Sequence, residues 1–231
     1  MDAKPSDFKF TVKIITKINN NSKNSVMCGG SVIHNNWILT AAHCFEDVTI
    51  TKVYLGLKIK NAYTKVLDAI NYIQHESFLH NDTHILYDIA LVKIPSVQYG
   101  EYIQSIKLSH QTSCDGRTVI ATGWGLTGDA PLPSSDSPKL QYIALSVLSK
   151  INCKKELGGN FFDTQLCTSG STSYICPGDS GNPVIIGFGS VPKQVGLVSH
   201  RHANCTAYTT NTYTLVASFL PWIENKTNFI F

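Results

Sequence analysis

The sequence has no hydrophobic run of the roughly 18 to 20 residues that a membrane-spanning helix requires. Its start, from Met1 to Phe8, also lacks the apolar core of a signal peptide, so we expect any targeting segment to have been removed. Charged residues make up only 15% of the chain, the net charge is +3, and Lys and Arg form no dense run. These absences argue against both a membrane and a nucleic acid as the partner.

The seven cysteines are scattered, and none of them forms a Cys-x-x-Cys pair of the kind found in zinc sites. Sequons for N-glycosylation begin at Asn20, Asn81, Asn204 and Asn225. Both features favour a secreted, extracellular protein with disulfides. Because the cysteine count is odd, at least one cysteine is free or bonded to another chain.

Short β-branched segments bounded by Gly, Pro, Asn or Ser recur along the chain, and Phe8 to Ile18 alternates as a half-buried strand does. With 231 residues and 43% apolar content, the chain can form one large all-β domain or two small lobes. Helix is scarce: the clearest candidate starts near the chain end with Ser218 as its cap, and a weaker one covers Ser149 to Leu157. The segment from Thr127 to Pro138 is predicted to be an exposed loop.

One stretch, from Tyr174 to Val184, is suited to presenting a hydroxyl group. Gly178 and Gly181 allow close backbone approach, and the amides of Gly178 and Ser180 are candidates for an oxyanion hole. Ser180 is therefore a candidate nucleophile. The alternative is an ordinary tight turn.

A serine nucleophile needs a base and a group that orients the base. His43 follows the apolar strand that ends at Thr40, and Asp88 opens the apolar segment Ile89 to Ile94. Each has an ordinary alternative, because histidines at strand ends are often structural and an aspartate before a strand is often a turn former.

The order of these residues and their neighbours resembles the trypsin and chymotrypsin family of serine proteases. The stretches that match are Asp2-Ala3-Lys4-Pro5, Cys28-Gly29-Gly30-Ser31, Trp37 to Cys44, Asp88 to Leu91, Gly123-Trp124-Gly125, Cys176 to Gly181, and Phe219 to Ile223. The stretches Trp37-Ile38-Leu39 and Trp222-Ile223-Glu224, together with the three disulfides that the family resemblance implies, resemble the trypsin-like group 3 allergens of mites and their inactivated scabies-mite paralogues.

The resemblance implies an all-β fold, in which two six-stranded antiparallel barrels and a short C-terminal helix form one protease domain over residues 1–231. It places the first barrel at 8–105, the second at 114–215 and the helix at 218–228.

The same resemblance assigns roles to individual residues. His43, Asp88 and Ser180 would form the catalytic triad, with Gly178 and Ser180 as the oxyanion hole. Asp179 would be the partner of the family's inserted N-terminal amine. The implied disulfides leave Cys114 over and join three pairs: Cys28 with Cys44, Cys153 with Cys167, and Cys176 with Cys205.

Four departures from the family pattern bear on activity. The likeness of Asp2-Ala3-Lys4-Pro5 suggests that four residues of the family's mature start are absent, so without an inserted cation we expect the Asp179 loop to rearrange; the alternative is that the natural chain carries those residues. A second glycine after the serine is replaced by Asn182, which is expected to crowd the loop. The remaining two concern the specificity pocket, where Tyr174 stands at the base in place of an aspartate and the wall reads Ser199-His200-Arg201 in place of Ser-Trp-Gly, with Asn211 where many relatives have a further pocket-lining glycine. The residues expected to line this pocket are Tyr174, Ile175, Ser199, His200, Arg201 and Asn211.

The altered pocket favours a poorly active or inactive protease paralogue that binds other proteins as a decoy or inhibitor. The alternative is an active serine endopeptidase with non-tryptic specificity. We expect a monomer whose partners are proteins or peptides, such as host or other extracellular proteins. No cofactor or metal is expected, because Asp68 is the only carboxylate where the family's calcium loop would fall.

Overall fold

The structure is a computed structural model that describes residues 1–18, 25–57, 62–81, 84–125, 139–169, 175–201 and 210–231. The described residues form mostly β-structure. The strands are β1 (Thr11–Ile18), β2 (Ser25–His34), β3 (Trp37–Thr40), β4 (Val48–Leu57), β5 (Tyr63–Asp68), β6 (Asn71–Gln74), β7 (Leu79–His80), β8 (Ile85–Leu86), β9 (Ala90–Lys93), β10 (Lys107–Leu108), β11 (Thr118–Gly123), β12 (Gln141–Ser146), β13 (Gln165–Thr168), β14 (Pro183–Ile186), β15 (Lys193–Arg201) and β16 (Asn211–Leu215).

Two curled sheets account for most of these strands and confirm the predicted chymotrypsin fold. The first sheet has the order β5-β4-β1-β2-β3-β9-β6, and its strand pairs are antiparallel. The second has the order β12-β11-β14-β15-β16-β13, with β10 added in parallel beside β15. In the described residues each of these sheets therefore has seven strands, one more than predicted for a barrel. A separate hairpin joins β7 to β8.

Each sheet encloses an apolar core, because alternate side chains of its strands point inward. Val12, Ile14 and Val53 belong to the first core, and Val119 and Val184 belong to the second. Two further buried clusters combine residues from both halves of the chain. One cluster includes Leu39, Leu91, Leu197 and Phe219, and the other includes Phe10, Trp124 and Ile185. The two sheets are thus packed against each other through extensive apolar contacts.

The helices are short. Helix α1 (Lys150–Leu157) confirms the helix predicted over Ser149 to Leu157, and Ser149 caps it by accepting a hydrogen bond from Asn152 N on its hydroxyl. Helix α2 (Leu220–Thr227) follows a 3-10 turn at Val216–Phe219. The prediction that Ser218 caps it is wrong: Ser218 lies inside the turn, and the capping position is occupied by Phe219 without a side-chain hydrogen bond. Further 3-10 turns are Pro5–Asp7, Ala42–Phe45 and Gly158–Asn160.

Disulfides join Cys28 to Cys44 and Cys153 to Cys167. Cys176 is also disulfide-bonded, while its predicted partner, Cys205, lies outside the described residues. Cys114 is a buried free thiol. The predicted loop from Thr127 to Pro138 lies outside the described residues as well. Within the described part of the chain, no helix has the length and hydropathy needed to cross a membrane.

Candidate active site

The pairing of β3 with β9 brings His43 and Asp88 together. Thr40 at the end of β3 lies opposite Ala90 at the start of β9, so the residues just beyond these two positions share one edge of the sheet. Asp88 Oδ1 accepts a hydrogen bond from His43 N at 2.9 Å, and Asp88 Oδ2 lies 2.8 Å from His43 Nδ1. Because a carboxylate only accepts, Nδ1 carries the hydrogen and Nε2 of the neutral ring is left as a base.

The Asp88 carboxylate is held from the second sheet as well. Ser199 Oγ, in β15, donates to Asp88 Oδ2 at 2.6 Å, and Thr214 Oγ1, in β16, donates to the main-chain oxygen of Asp88 at 2.8 Å. Only 2% of the Asp88 surface is exposed. A buried carboxylate is costly unless donors surround it, and here three donors satisfy its two oxygens.

The pair shifts the titration of both side chains. Burial raises the pKa of Asp88, but the charge of His43 and the hydrogen bonds from His43 and Ser199 outweigh burial and leave that pKa below its ordinary value. Burial lowers the pKa of His43, but the charge and hydrogen bond of Asp88 outweigh it, so the net pKa is raised. Asp88 therefore stays ionised at neutral pH and makes the imidazole more basic.

Main-chain hydrogen bonds tie the Ser180 loop to two segments that are themselves linked to this pair. Gly29 N donates to the main-chain oxygen of Ser180 at 2.7 Å. Gly29 follows Cys28, whose disulfide to Cys44 reaches the residue next to His43. On its other side the loop is tied to β15, since Gly181 N donates to Val198 O at 2.8 Å, one residue before Ser199. The serine loop is thus held between β2, which the disulfide links to the residue after His43, and β15, which carries the Ser199 donor to Asp88.

The nucleophile loop uses some of its amides and leaves others available. The N–H groups of Asp179, Gly181 and Asn182 all donate to main-chain oxygens at 2.8 to 3.1 Å. Those of Gly178 and Ser180 donate to no residue in the described part of the chain. Gly178 and Gly181 have φ angles of +94° and +78°, which L side chains rarely adopt, so glycine permits this loop shape. The two remaining amides suit an oxyanion hole.

The Asp179 carboxylate is buried and bound by main-chain amides. Gly125 N donates to Asp179 Oδ1 at 2.6 Å, and Cys176 N donates to Asp179 Oδ2 at 2.9 Å. The carboxylate occupies space that a side chain at Gly123 or Gly125 would fill. The Gly-Trp-Gly segment therefore provides a cradle for this acid.

The predicted pocket residues are described only in part. Tyr174 and the side chains of His200 and Arg201 lie outside the described residues. Ile175 is 7% exposed and packs in the core of the second sheet. Asn211 is 2% exposed and lies opposite Arg201 in the pairing of β15 with β16. Ser199, expected in the pocket, donates to Asp88.

Two residues near the site had no signal in the sequence. Thr214 bonds the Asp88 carbonyl from a strand 126 positions away, and Met27 places its methyl group against Gly178. Neither contact has a local pattern that could have revealed it, because both depend on how the strands meet.

A cluster of Cys28, Cys44 and His43 has potential ligand atoms within 4.8 Å of one another. It does not suit a metal, because both sulfurs are consumed by the disulfide and a metal requires thiolates.

The His43 imidazole paired with the buried Asp88 carboxylate, together with the Ser180 loop bonded to segments close to this pair, is typical of serine hydrolases that use a covalent intermediate. The trypsin family model matches residues 2–223. Collagenase of Hypoderma lineatum is 34% identical over 215 residues, covering 89% of this chain and 78% of that protein. Chymotrypsin-2 of Vespa crabro is 32% identical over 205 residues, covering 86% and 88%.

The solved structure of HL collagenase has a TM-score of 0.88 and 29% identity to this chain, covering 100% of this chain and 98% of that one. The chain belongs to the trypsin family of serine proteases.

Proposed function

We propose that this chain is a serine endopeptidase in which Ser180 is the nucleophile, His43 the base and Asp88 the group that orients the base. The observation that carries the proposal is the hydrogen-bonded pair of His43 and Asp88, completed by Ser199, beside a serine loop with two available amides.

In the proposed reaction, Ser180 Oγ attacks the carbonyl carbon of a peptide bond while its proton passes to His43 Nε2. The amides of Gly178 and Ser180 stabilise the negative oxygen that develops. The C–N bond then breaks, and the leaving amine takes the proton from His43. Water next attacks the acyl group by the same route, which releases the acid and restores Ser180.

The specificity of the enzyme would be non-tryptic. Tyr174 stands where trypsins have the aspartate that binds Lys or Arg, so the charge needed for such substrates is missing.

We propose that the disulfides and sequons belong to a secreted, extracellular protein. The closer relationship to mite proteins stays a prediction, as do the domain boundaries.

The second candidate is the binding function that the sequence favours, in which the surface engages other proteins as a decoy or inhibitor. The burial of Asn211 at a position where many relatives have a pocket-lining glycine supports it, since its side chain takes up volume there. Tyr174 and Arg201, by residue type, would narrow the same cavity.

A fluorophosphonate probe distinguishes the two candidates, because it reacts with a serine only when base and oxyanion hole are assembled. We expect rapid labelling of the wild-type chain, no labelling of Ser180→Ala, and cleavage of members of a peptide library. Labelling without any peptide turnover would favour the binding function. Failure of the folded wild-type chain to label would refute the proposed enzyme.

A further inference from the structure

Asn182 follows Gly181 in the nucleophile loop. Its side chain is fully buried and makes contacts that a glycine could not make. Its side-chain Nδ2 donates to the main-chain oxygen of Asp179 at 3.0 Å, and its own N–H donates to the same oxygen at 3.1 Å. The main-chain carbonyl of Asp179 therefore accepts two hydrogen bonds from Asn182.

The orientation of the Asn182 amide follows from these contacts. Turning the amide over would place Oδ1 against the Asp179 carbonyl, so that two acceptors would face each other. In the observed orientation Oδ1 is buried without a hydrogen-bond partner among the described residues. An unsatisfied buried acceptor is a cost to stability, so the contribution of Asn182 to folding is small or unfavourable.

The carbonyl that Asn182 holds belongs to the peptide unit between Asp179 and Ser180. In a trans peptide the C=O and the N–H point in opposite directions, so fixing one fixes the other. Because the Asp179 oxygen points at Asn182, the Ser180 N–H is directed away from it. This N–H is one of the two amides that make no hydrogen bond to the described residues.

The site has room for Asn182 because Gly29 has no side chain. A Cβ atom on Gly29 would collide with the Asn182 amide group. Gly29 N also donates a hydrogen bond to the main-chain oxygen of Ser180, so both Asn182 and Ser180 contact the same glycine. The contact gives Asn182 one defined position.

We propose that Asn182 is a positioning residue that fixes the peptide unit between Asp179 and Ser180 and thereby aims the Ser180 N–H into the oxyanion hole. The inference rests on the proposed function, since it assigns Asn182 a positioning role in the same active site. It replaces the expectation that Asn182 crowds the loop.

The test compares the wild-type chain with Asn182→Leu, which keeps the branching and the number of heavy atoms of the side chain but removes its donor. The rate of Ser180 labelling by a fluorophosphonate is measured across pH, together with the melting temperature. Removing one oxyanion donor slows related reactions by about 100- to 1,000-fold, and because the donor is only misaligned here we expect a slowing of about 10- to 100-fold. The pH midpoint, which His43 sets, should not move, and the melting temperature should change little.

A second pair of variants keeps the test independent of simple misfolding. Gly29→Ala should slow labelling because the new methyl group displaces Asn182, and the double variant Gly29→Ala with Asn182→Gly removes that collision. We expect the double variant to melt higher than Gly29→Ala alone while still labelling slowly. A rate within twofold of wild type for Asn182→Leu, or a slowing that comes with a shifted pH midpoint, would overturn the inference.

The two proposals fail in different ways. If the wild-type chain is not labelled, the proposed function falls, and crystal structures of wild type and Asn182→Leu then decide the inference by the direction of the Asp179 carbonyl. An altered direction in Asn182→Leu supports it, and an unchanged direction refutes it.

Discussion

The hydrogen bond from Ser199 to Asp88 offers a sharp test of how the site is built. Ser199→Ala removes one of three donors to a buried carboxylate and leaves both donors from His43 in place. A hydrogen bond to a charged group contributes about 1.5 to 3 kcal/mol to stability. For a chain of this size each kcal/mol shifts the melting temperature by about 2 to 4 °C, so we expect a decrease of about 3 to 12 °C.

The sign of the pH dependence follows from the lowered pKa of Asp88, to which the bond from Ser199 contributes. Stability from a lowered carboxyl pKa is fully present above the unfolded value of about 3.9 and is lost as pH falls through the folded value. Measurements at pH 7 therefore record the whole effect of Ser199→Ala, and the difference from wild type should shrink in acid.

A matched control is available in Ser31, whose hydroxyl also donates at 2.6 Å in a buried position, but to the neutral Gln194 Oε1. Ser31→Ala should destabilise the chain by about 1 to 3 kcal/mol with no dependence on acid pH. It should leave Ser180 labelling unchanged, whereas Ser199→Ala should slow labelling about tenfold, which corresponds to about 1.4 kcal/mol of transition-state stabilisation. Equal labelling rates for the two variants would refute the role assigned to Ser199.

Three further predictions concern the same region and the free thiol. Because Asp88 raises the pKa of His43, Ser180 labelling should fall in acid with a midpoint above about 6.5, and a lower midpoint measured in the labelling profile would contradict this. Gly181→Ala should destabilise the chain by about 2 kcal/mol or more, as measured by urea denaturation, and should abolish Ser180 labelling. The reasons are that φ of Gly181 is +78° and that the new Cβ would lie 2.6 Å from Gly29 O. A variant that is stable and still labelled would contradict this loop geometry. Burial raises the pKa of Cys114, so its thiol should resist alkylation by iodoacetamide in the folded chain and react in urea, and fast native alkylation would show that the thiol is accessible.

The sequence predicts the parts of this molecule that have local patterns. The alternation of β1 and the helix predicted over Ser149 to Leu157 are confirmed, since each depends on neighbours in the chain. The predicted start of α2 is wrong because the chain makes a 3-10 turn before the helix. That turn contains the same mixture of polar and apolar residue types as a helix, so the sequence pattern does not distinguish the two.

The long-range contacts of the site could not be predicted in the same way. Ser199 and Asp88 are 111 positions apart, and the register of β15 with β16 shifts between Val198 and His200, just where Ser199 lies. An irregularity of this kind decides which way a side chain points, and no period in the sequence announces it. For this reason the hydrogen bond from Ser199 to the Asp88 carboxylate could not be predicted from the sequence.

Asp88 is also the place where the two sheets depend on each other. Its carboxylate accepts hydrogen bonds from His43, on the first sheet's side, and from Ser199 in the second sheet, while its carbonyl accepts one from Thr214. The cost of burying this charge is offset most fully when the sheets are docked, because His43 supplies two of the three donors to the carboxylate and Ser199 supplies the third. Docking of the second sheet therefore adds to the lowering of the Asp88 pKa that His43 begins, and it favours the ionised form of the group that orients the base.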